Sequence, residues 1–192
     1  QMATAAAMRG TSVNESVDLA SGDAGIRQLN DGEFDLDDLL DEVAMQIADR
    51  LQESRVTLEI LAPANLGGII ADPQRLKQIL LKILSNAANF APEGSTITLA
   101  CQRDGSDFVF SVADKGPGIP EDMIKAVFNR FNAGASGGKR SGAGLGLSIV
   151  ESFVSLHGGT VSIDSAPGKG TIVHCRIPTA PAEMLANVAA AE

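Results

Sequence analysis

The sequence predicts an α+β fold, a two-layer α/β sandwich in which a mixed sheet carries helices on one face. Three observations predict it. Stretches with apolar residues at helical spacing interleave with stretches in which every second residue is apolar. Short turns join several of those strands as hairpins, which a doubly wound parallel sheet does not use. A length of 192 residues, 44% hydrophobic and 20% charged, supports one good core with a small appendage.

The elements follow in chain order. Residues 1–33 begin with a stretch rich in Ala, Ser, Gly and Asp. Met8, Val13, Val17 and Leu19 suggest a weakly amphipathic helix punctuated near Gly22 or Gly25. A second helix is expected over Phe34 to Leu51, with Leu36, Leu39, Leu40, Val43, Ile47 and Leu51 on one face and Asp35 as cap. VTLEIL alternates as a strand and GGIIAD reads as a shorter one. Asp72 can cap the next helix, Pro73 suits its first turn, and Leu76, Ile79, Leu80, Ile83, Leu84 and Ala87 form its buried face up to Pro92.

TITLACQ and DFVFSVAD pair around a turn at 103–106. A short helix is expected over Glu121 to Phe128, a Gly-rich loop over Asn132 to Ser141, and a helix over Leu145 to Leu156 closed by Gly158 and Gly159. TVSIDS and TIVHCRIP close the domain around APGKG, and residues 179–192 read as a frayed, Ala-rich tail.

A net charge of −9 argues against a general nucleic-acid binder, which needs a basic face. Phosphate held locally by backbone amides and a cation stays compatible with it. Two cysteines, Cys101 and Cys175, are too few for a disulfide scaffold and read as small buried strand residues. The opening QMATAAAMRG lacks the pattern of a signal peptide, and no run reaches the roughly 18 apolar residues of a membrane span. The expectation is a cytoplasmic piece without membrane contact of its own, compatible with a membrane anchor elsewhere in a longer parent.

Three separated stretches carry chemistry. Asp114 ends an apolar strand and precedes Gly116, Gly118 and Pro120. A carboxylate there only accepts hydrogen bonds, so it suits the exocyclic amine of adenine and repels the carbonyl of guanine. Glycines beside it let backbone lie close to a flat ring. The plain alternative is an ordinary strand-to-loop turn. Gly142, Gly144 and Gly146 precede a helix whose first amides point outward unpaired, an arrangement that favours an anion. Without a partner motif the same run reads as a flexible linker. Asn86 lies on a helix and offers an amide oxygen suited to magnesium, or is simply a surface residue.

Two look-alikes fail. GAGLGL lacks the spacing and the preceding strand of a dinucleotide fingerprint, and in APGKGT a glycine follows Lys169 where a phosphate-binding loop needs Ser or Thr.

Taken together, SNAANF, DKGPGIP, VFNRF, GAGLGLSIV, LHGGTVSIDS and GKGT resemble the N, G1, F and G2 boxes and closing strands of the ATPase domain of sensor histidine kinases. This is the Bergerat-fold superfamily that includes Hsp90, type II topoisomerases and MutL. The resemblance covers about residues 34–178. It implies an ATP-Mg site between the helices and a mobile lid. Asp114 would accept from adenine, and Asn86 would contact magnesium or phosphate. Gly116 and Gly118 would line the base, Phe128 and Phe131 would pack the lid hinge, and Gly142, Gly144 and Gly146 would meet the phosphates. Thr171 would back Asp114, while Ile119 and Leu147 would wall the pocket. Asn89, Phe90 and Leu145 complete the implied nucleotide-binding set. VDLASGDAGIRQLN resembles the end of a dimerisation helix and its linker, so the phosphoacceptor histidine would lie outside this chain. Neither His157 nor His174 has that helical context.

Three positions depart from the pattern. Lys82 stands where a second Asn is usual, one turn before Asn86; Asn89 and Ala133 stand where basic residues are usual. Lys82 would either pair with phosphate or repel magnesium. Lys139 and Arg140 in the lid would offset the lost charge. The expected function is therefore an ATP-binding kinase domain with Asn86 and Lys82 at its catalytic centre. It would serve the dimerisation helices of its parent and a response-regulator receiver. The alternative is a degenerate, DivL-like pseudokinase module that binds nucleotide or partners without phosphotransfer. A hydrolytic chaperone-like or topoisomerase-like ATPase fits less well, since those relatives carry Glu at the position of Lys82.

Overall fold

The computed structural model describes residues 29–63, 66–124, 127 and 143–178, with side chains of the last stretch described from Leu147 onward. The elements run β1 (Gly32–Asp35), α1 (Leu36–Ser54), β2 (Thr57–Leu61), β3 (Gly68–Ala71), α2 (Pro73–Phe90), β4 (Thr96–Asp104), β5 (Asp107–Asp114), α3 (Glu121–Ile124), α4 (Ala143–Leu156), β6 (Thr160–Ser165) and β7 (Thr171–Pro178). The expected N-terminal helix ending near Gly22 or Gly25 and the tail after Pro178 lie outside the described residues.

A five-stranded sheet has the order β2-β4-β5-β7-β6, parallel between β2 and β4 and antiparallel elsewhere. The mixed sheet predicted from sequence is therefore present. Alternate residues Ile97, Leu99 and Cys101 of β4, Phe108, Phe110 and Val112 of β5, and Val173, Cys175 and Ile177 of β7 are buried. They form one core with the apolar stripes of α1, α2 and α4, so the period of two in the strands meets the period of 3.6 in the helices.

Phe34 corrects one expectation. It belongs to β1, which pairs antiparallel with β3 and sets Phe34 opposite Ile69. Its backbone is committed to that ladder. The helix begins only after Asp35, whose side chain accepts from the Asp37 amide at 2.8 Å. At the other end α1 stops at Arg55, the one described non-glycine residue with positive φ (53°), which donates to Gln52 O at 3.1 Å. The short helix α3 covers Glu121–Ile124 of the expected span to Phe128; residues 125, 126 and 128 lie outside the described residues.

Asp72 ties three parts of the chain together. It is 3% exposed, and its Oδ1 accepts from the Arg75 amide at 3.0 Å as the cap of α2. Its Oδ2 accepts from the Asn30 amide at 2.9 Å, and its own amide donates to His157 Nε2 at 3.4 Å, just past the end of α4. His157 Nδ1 in turn donates to Phe153 O at 2.7 Å, which fixes the neutral tautomer. Asp72→Ala removes the acceptor of two part-buried amides, those of Asn30 and Arg75, so urea unfolding is expected to show a loss of about 2 kcal/mol. Asp72→Asn keeps one acceptor and loses less.

Candidate nucleotide-binding site

Asp114 is the last residue of β5 and lies opposite Thr171, the first residue of β7. The sheet register thus sets a carboxylate and a hydroxyl side by side at one sheet end. Asp114 Oδ1 accepts from the Gly116 amide at 2.7 Å. Desolvation pushes the carboxyl above the usual carboxylate range, against the backbone amides of Gly116 and Thr171, which hold it down. The group is half-buried, acceptor-only when ionised, and held rigidly by backbone.

The turn after Asp114 is shaped by what it touches. A Cβ on Gly116 would meet Asp114 Oδ1 at 2.7 Å and Phe90 O at 3.0 Å, so the end of α2 lies directly against this turn. Gly118 has φ +75°, and a Cβ there would sit 1.9 Å from Ala166 O. On its far side the turn rests on the β6–β7 connection. The Gly168 amide donates to Pro117 O at 2.7 Å, and the Ile119 amide donates to Ser165 Oγ at 2.8 Å. Gly170, at φ +79°, passes so close that a Cβ would lie 2.1 Å from Asp114 O.

Sequence reasoning missed Ser165 and Gly170. From sequence APGKG reads as the connection between the closing strands and, as GKGT, as part of the family resemblance; the structure makes it the bed on which the turn after Asp114 lies. The available signal was the serine that ends TVSIDS and the spacing of the two glycines before Thr171.

On α2, Lys82, Asn86, Asn89 and Phe90 share one face at helical spacing, and the first three are half-buried. Asn86 Nδ2 is the one buried side-chain polar atom among the described residues without a hydrogen-bond partner. Such an atom costs free energy until a ligand satisfies it. Asn89 Oδ1 is engaged by the Arg50 guanidinium reaching across from α1. A cation therefore stands beside the position where the resemblance expected one, supplied by a different helix. Phe90 is 38% exposed at the end of α2, Ile119 packs partly on the core, and Leu147 is a core residue at 7% exposure.

The glycine run before α4 needs correction. The helix begins at Ala143, so Gly144 and Gly146 lie within its first turn or so rather than ahead of it. The earliest amides of an α-helix are unpaired in any case, so their capacity for an anion is unchanged by the shift. Leu145 falls in the same turn. Phe131, Lys139, Arg140 and Gly142, with Phe128 and Ala133, lie outside the described residues.

A cleft of about 460 Å³ is lined by the β6–β7 connection together with Ile124, Ile163 and Ile172. It contains none of Asp114, Gly116 or Asn86, so the donor and acceptor chemistry identifies the site and the cleft does not.

Two other groups of reactive residues are structural. Burial pushes the thiols of Cys101 and Cys175 up to about 12, which leaves almost no thiolate at neutral pH. Ser111 Oγ lies 2.7 Å from His174 Nδ1, and His174 Nε2 lies 3.2 Å from Asp164 Oδ2. Ser111 and His174 sit in mid-ladder on β5 and β7, strands paired on both sides, and Asp164 lies on the edge strand β6. The three form a cross-strand contact.

Comparison with known proteins agrees with the geometry. Residues 71–181 match the family model described as histidine kinase-, DNA gyrase B- and HSP90-like ATPase. The sensor histidine kinase TmoS of Ectopseudomonas mendocina is 35% identical over 86% of this chain and 17% of its own length. The sensor protein DivL of Caulobacter vibrioides is 33% identical over 91% of this chain and 22% of its own. The chain thus spans about a fifth of the length of these curated relatives. The crystal structure of full-length ShkA in complex with AMPPNP superposes with a TM-score of 0.75 at 33% identity, covering 88% of this chain and 35% of that one. With Asp114 at its sheet end and Asn86 on the facing helix, the chain belongs to the histidine kinase-, DNA gyrase B- and HSP90-like ATPases, as an ATP-binding catalytic domain of the histidine-kinase type.

Proposed function

We propose that the domain, about residues 34–178, binds ATP with magnesium and presents its γ-phosphate to a histidine on a dimerisation domain outside this chain. From that histidine the phosphoryl group passes to the aspartate of a response-regulator receiver in the cytoplasm. The observation that carries the reading is the half-buried Asp114 carboxylate, held by the Gly116 amide against the end of the helix that bears Asn86.

In this reading the Asp114 carboxylate accepts from the adenine amine, and the bare backbone at Gly116 admits the ring. Asn86 Nδ2 lacks a partner, which fits a phosphate oxygen, and the amide oxygen of the same side chain is of the type that magnesium takes. Magnesium, bound mainly through nucleotide phosphates, supplies charge neutralisation for phosphoryl transfer. Lys82 sits one helical turn away and adds a positive charge to the same face. Gly142, Gly144 and Gly146, with Lys139 and Arg140, would complete the phosphate side. The described residues include no helix long and apolar enough to cross a membrane.

A second reading is favoured by Lys82 and Asn89. An ammonium at the first position and a side chain already engaged by Arg50 at the second suit a module that holds nucleotide or a partner without transferring phosphate. Titration calorimetry separates the two. ADP and ATP are expected to bind with micromolar affinity, tightened severalfold or more by magnesium, while GTP is not bound. Affinity that ignores magnesium makes Lys82 the substitute for the metal and supports the second reading. Absence of binding under all conditions sinks both nucleotide readings.

A further inference from the structure

Ser165 has three polar partners and one proton, and counting them decides where a neighbouring proton lies. The Ile119 amide donates to Ser165 Oγ at 2.8 Å. Ser165 Oγ lies 2.7 Å from Gly170 O, a carbonyl that only accepts, so the serine proton is committed there. The remaining contact, 3.0 Å from Ser165 Oγ to Thr171 Oγ1, must then be made with the threonine proton. Ser165 Oγ donates once and accepts twice, and its capacity is full. The Thr171 proton is thus committed to Ser165, and the threonine oxygen has only lone pairs left to offer.

Thr171 stands opposite Asp114 in the β5–β7 register, and its amide helps to hold the Asp114 carboxyl. The sheet end therefore presents two acceptors side by side, the carboxylate and the threonine oxygen, and the amides of Gly116 and Thr171 are already committed to the carboxylate. A ring that carries an amine meets partners here. A ring that carries a carbonyl at the same place meets two lone-pair-bearing groups and loses its own hydrogen bonds to water.

We propose that Ser165 is a specificity-determining positioning residue: it fixes the Thr171 hydroxyl as an acceptor and thereby enforces selection of 6-amino over 6-oxo purine nucleotides. The proposal rests on the nucleotide reading given above. Ser165→Ala removes the acceptor that anchors the Thr171 proton. The hydroxyl is then free to rotate and donate to a 6-oxo group, which softens the rejection.

The test is calorimetric titration of the 192-residue chain with ADP and with IDP, whose bases differ in the 6-substituent and, with it, in N1, an acceptor in adenine and an N–H donor in hypoxanthine. Ser165→Ala is expected to lower the ADP-to-IDP affinity ratio by about tenfold, chiefly by improving IDP. Loss of affinity for both nucleotides by one common factor means that Ser165 only supports the turn, and the proposal fails. Thr171→Val removes the oriented oxygen and is expected to lower the ratio on its own; adding Ser165→Ala to it should change the ratio no further. An unchanged ratio in Thr171→Val overturns the proposal even where Ser165→Ala does not fold. Failure of the unaltered chain to bind either nucleotide overturns the underlying nucleotide reading instead.

Discussion

Asp114→Asn is expected to lower ADP affinity by about a hundredfold while leaving the domain folded. The argument is a count of oxygens. The carboxylate has two, and the Gly116 amide takes Oδ1 at 2.7 Å while the Thr171 amide draws on the same group. Asparagine keeps one oxygen, which these amides claim. Its NH2 is then turned toward the adenine amine, donor against donor.

The effect on stability runs the other way. Desolvation raises the Asp114 carboxyl above its usual range, so the protonated form is the one the apo fold favours. A group with a raised folded pKa contributes stability that is complete below the unfolded carboxylate value, near 3.8 here, and lost as pH rises through the folded value. At neutral pH the ionised group therefore weakens the apo domain, and a neutral Asn relieves that. Scanning fluorimetry of the apo variant at pH 7 should show a Tm equal to or above the parent's, alongside the calorimetric loss. A fall in both Tm and affinity would mark Asp114 as a structural residue and remove it from the site.

Gly170→Ala has the largest expected effect on stability, roughly 4 kcal/mol, with loss of nucleotide binding. Gly170 combines φ +79° with a Cβ position 2.1 Å from Asp114 O, and backbone at that distance cannot yield without moving the site. Gly168 provides the control within the same connection: its φ is +74°, but a Cβ there meets nothing within 4 Å. Gly168→Ala should cost about 1 kcal/mol, the ordinary penalty of a left-handed alanine. Chemical denaturation of the two variants separates backbone conformation from close approach. Equal costs would mean that Gly170 matters only for its φ.

Much of the architecture was legible because its determinants are local. The stripe from Leu76 to Ala87, the cap at Asp72, Pro73 at the helix start and Ala91–Pro92 at its end lie within one helix length and specify α2 almost completely. Alternation in TITLACQ and DFVFSVAD similarly specified β4 and β5, and Asp114 stood out as a carboxylate ending an apolar strand. Phe34 departs from the helical expectation for a related reason. Its apolar side chain suits the helical pattern that follows, but its backbone partner is Ile69, 35 positions later in the chain (69 − 34). No local rule reports such a pairing.

The sequence by itself determined most of the elements, the N-caps of the two long helices, the single core and the candidate base contact at Asp114, since spacing and side-chain chemistry act over a few residues. Tertiary structure alone decided what surrounds that contact. Ser165 meets Ile119 across 46 positions of sequence, Asp72 meets Asn30 across 42 and His157 across 85, and Arg50 reaches Asn89 across 39. A hydrogen bond has a direction and a reach of about 3 Å, and neither can be read from residue types far apart in the chain. Packing of the sheet end against the helices turns an ordinary serine, a glycine and an arginine into parts of one site.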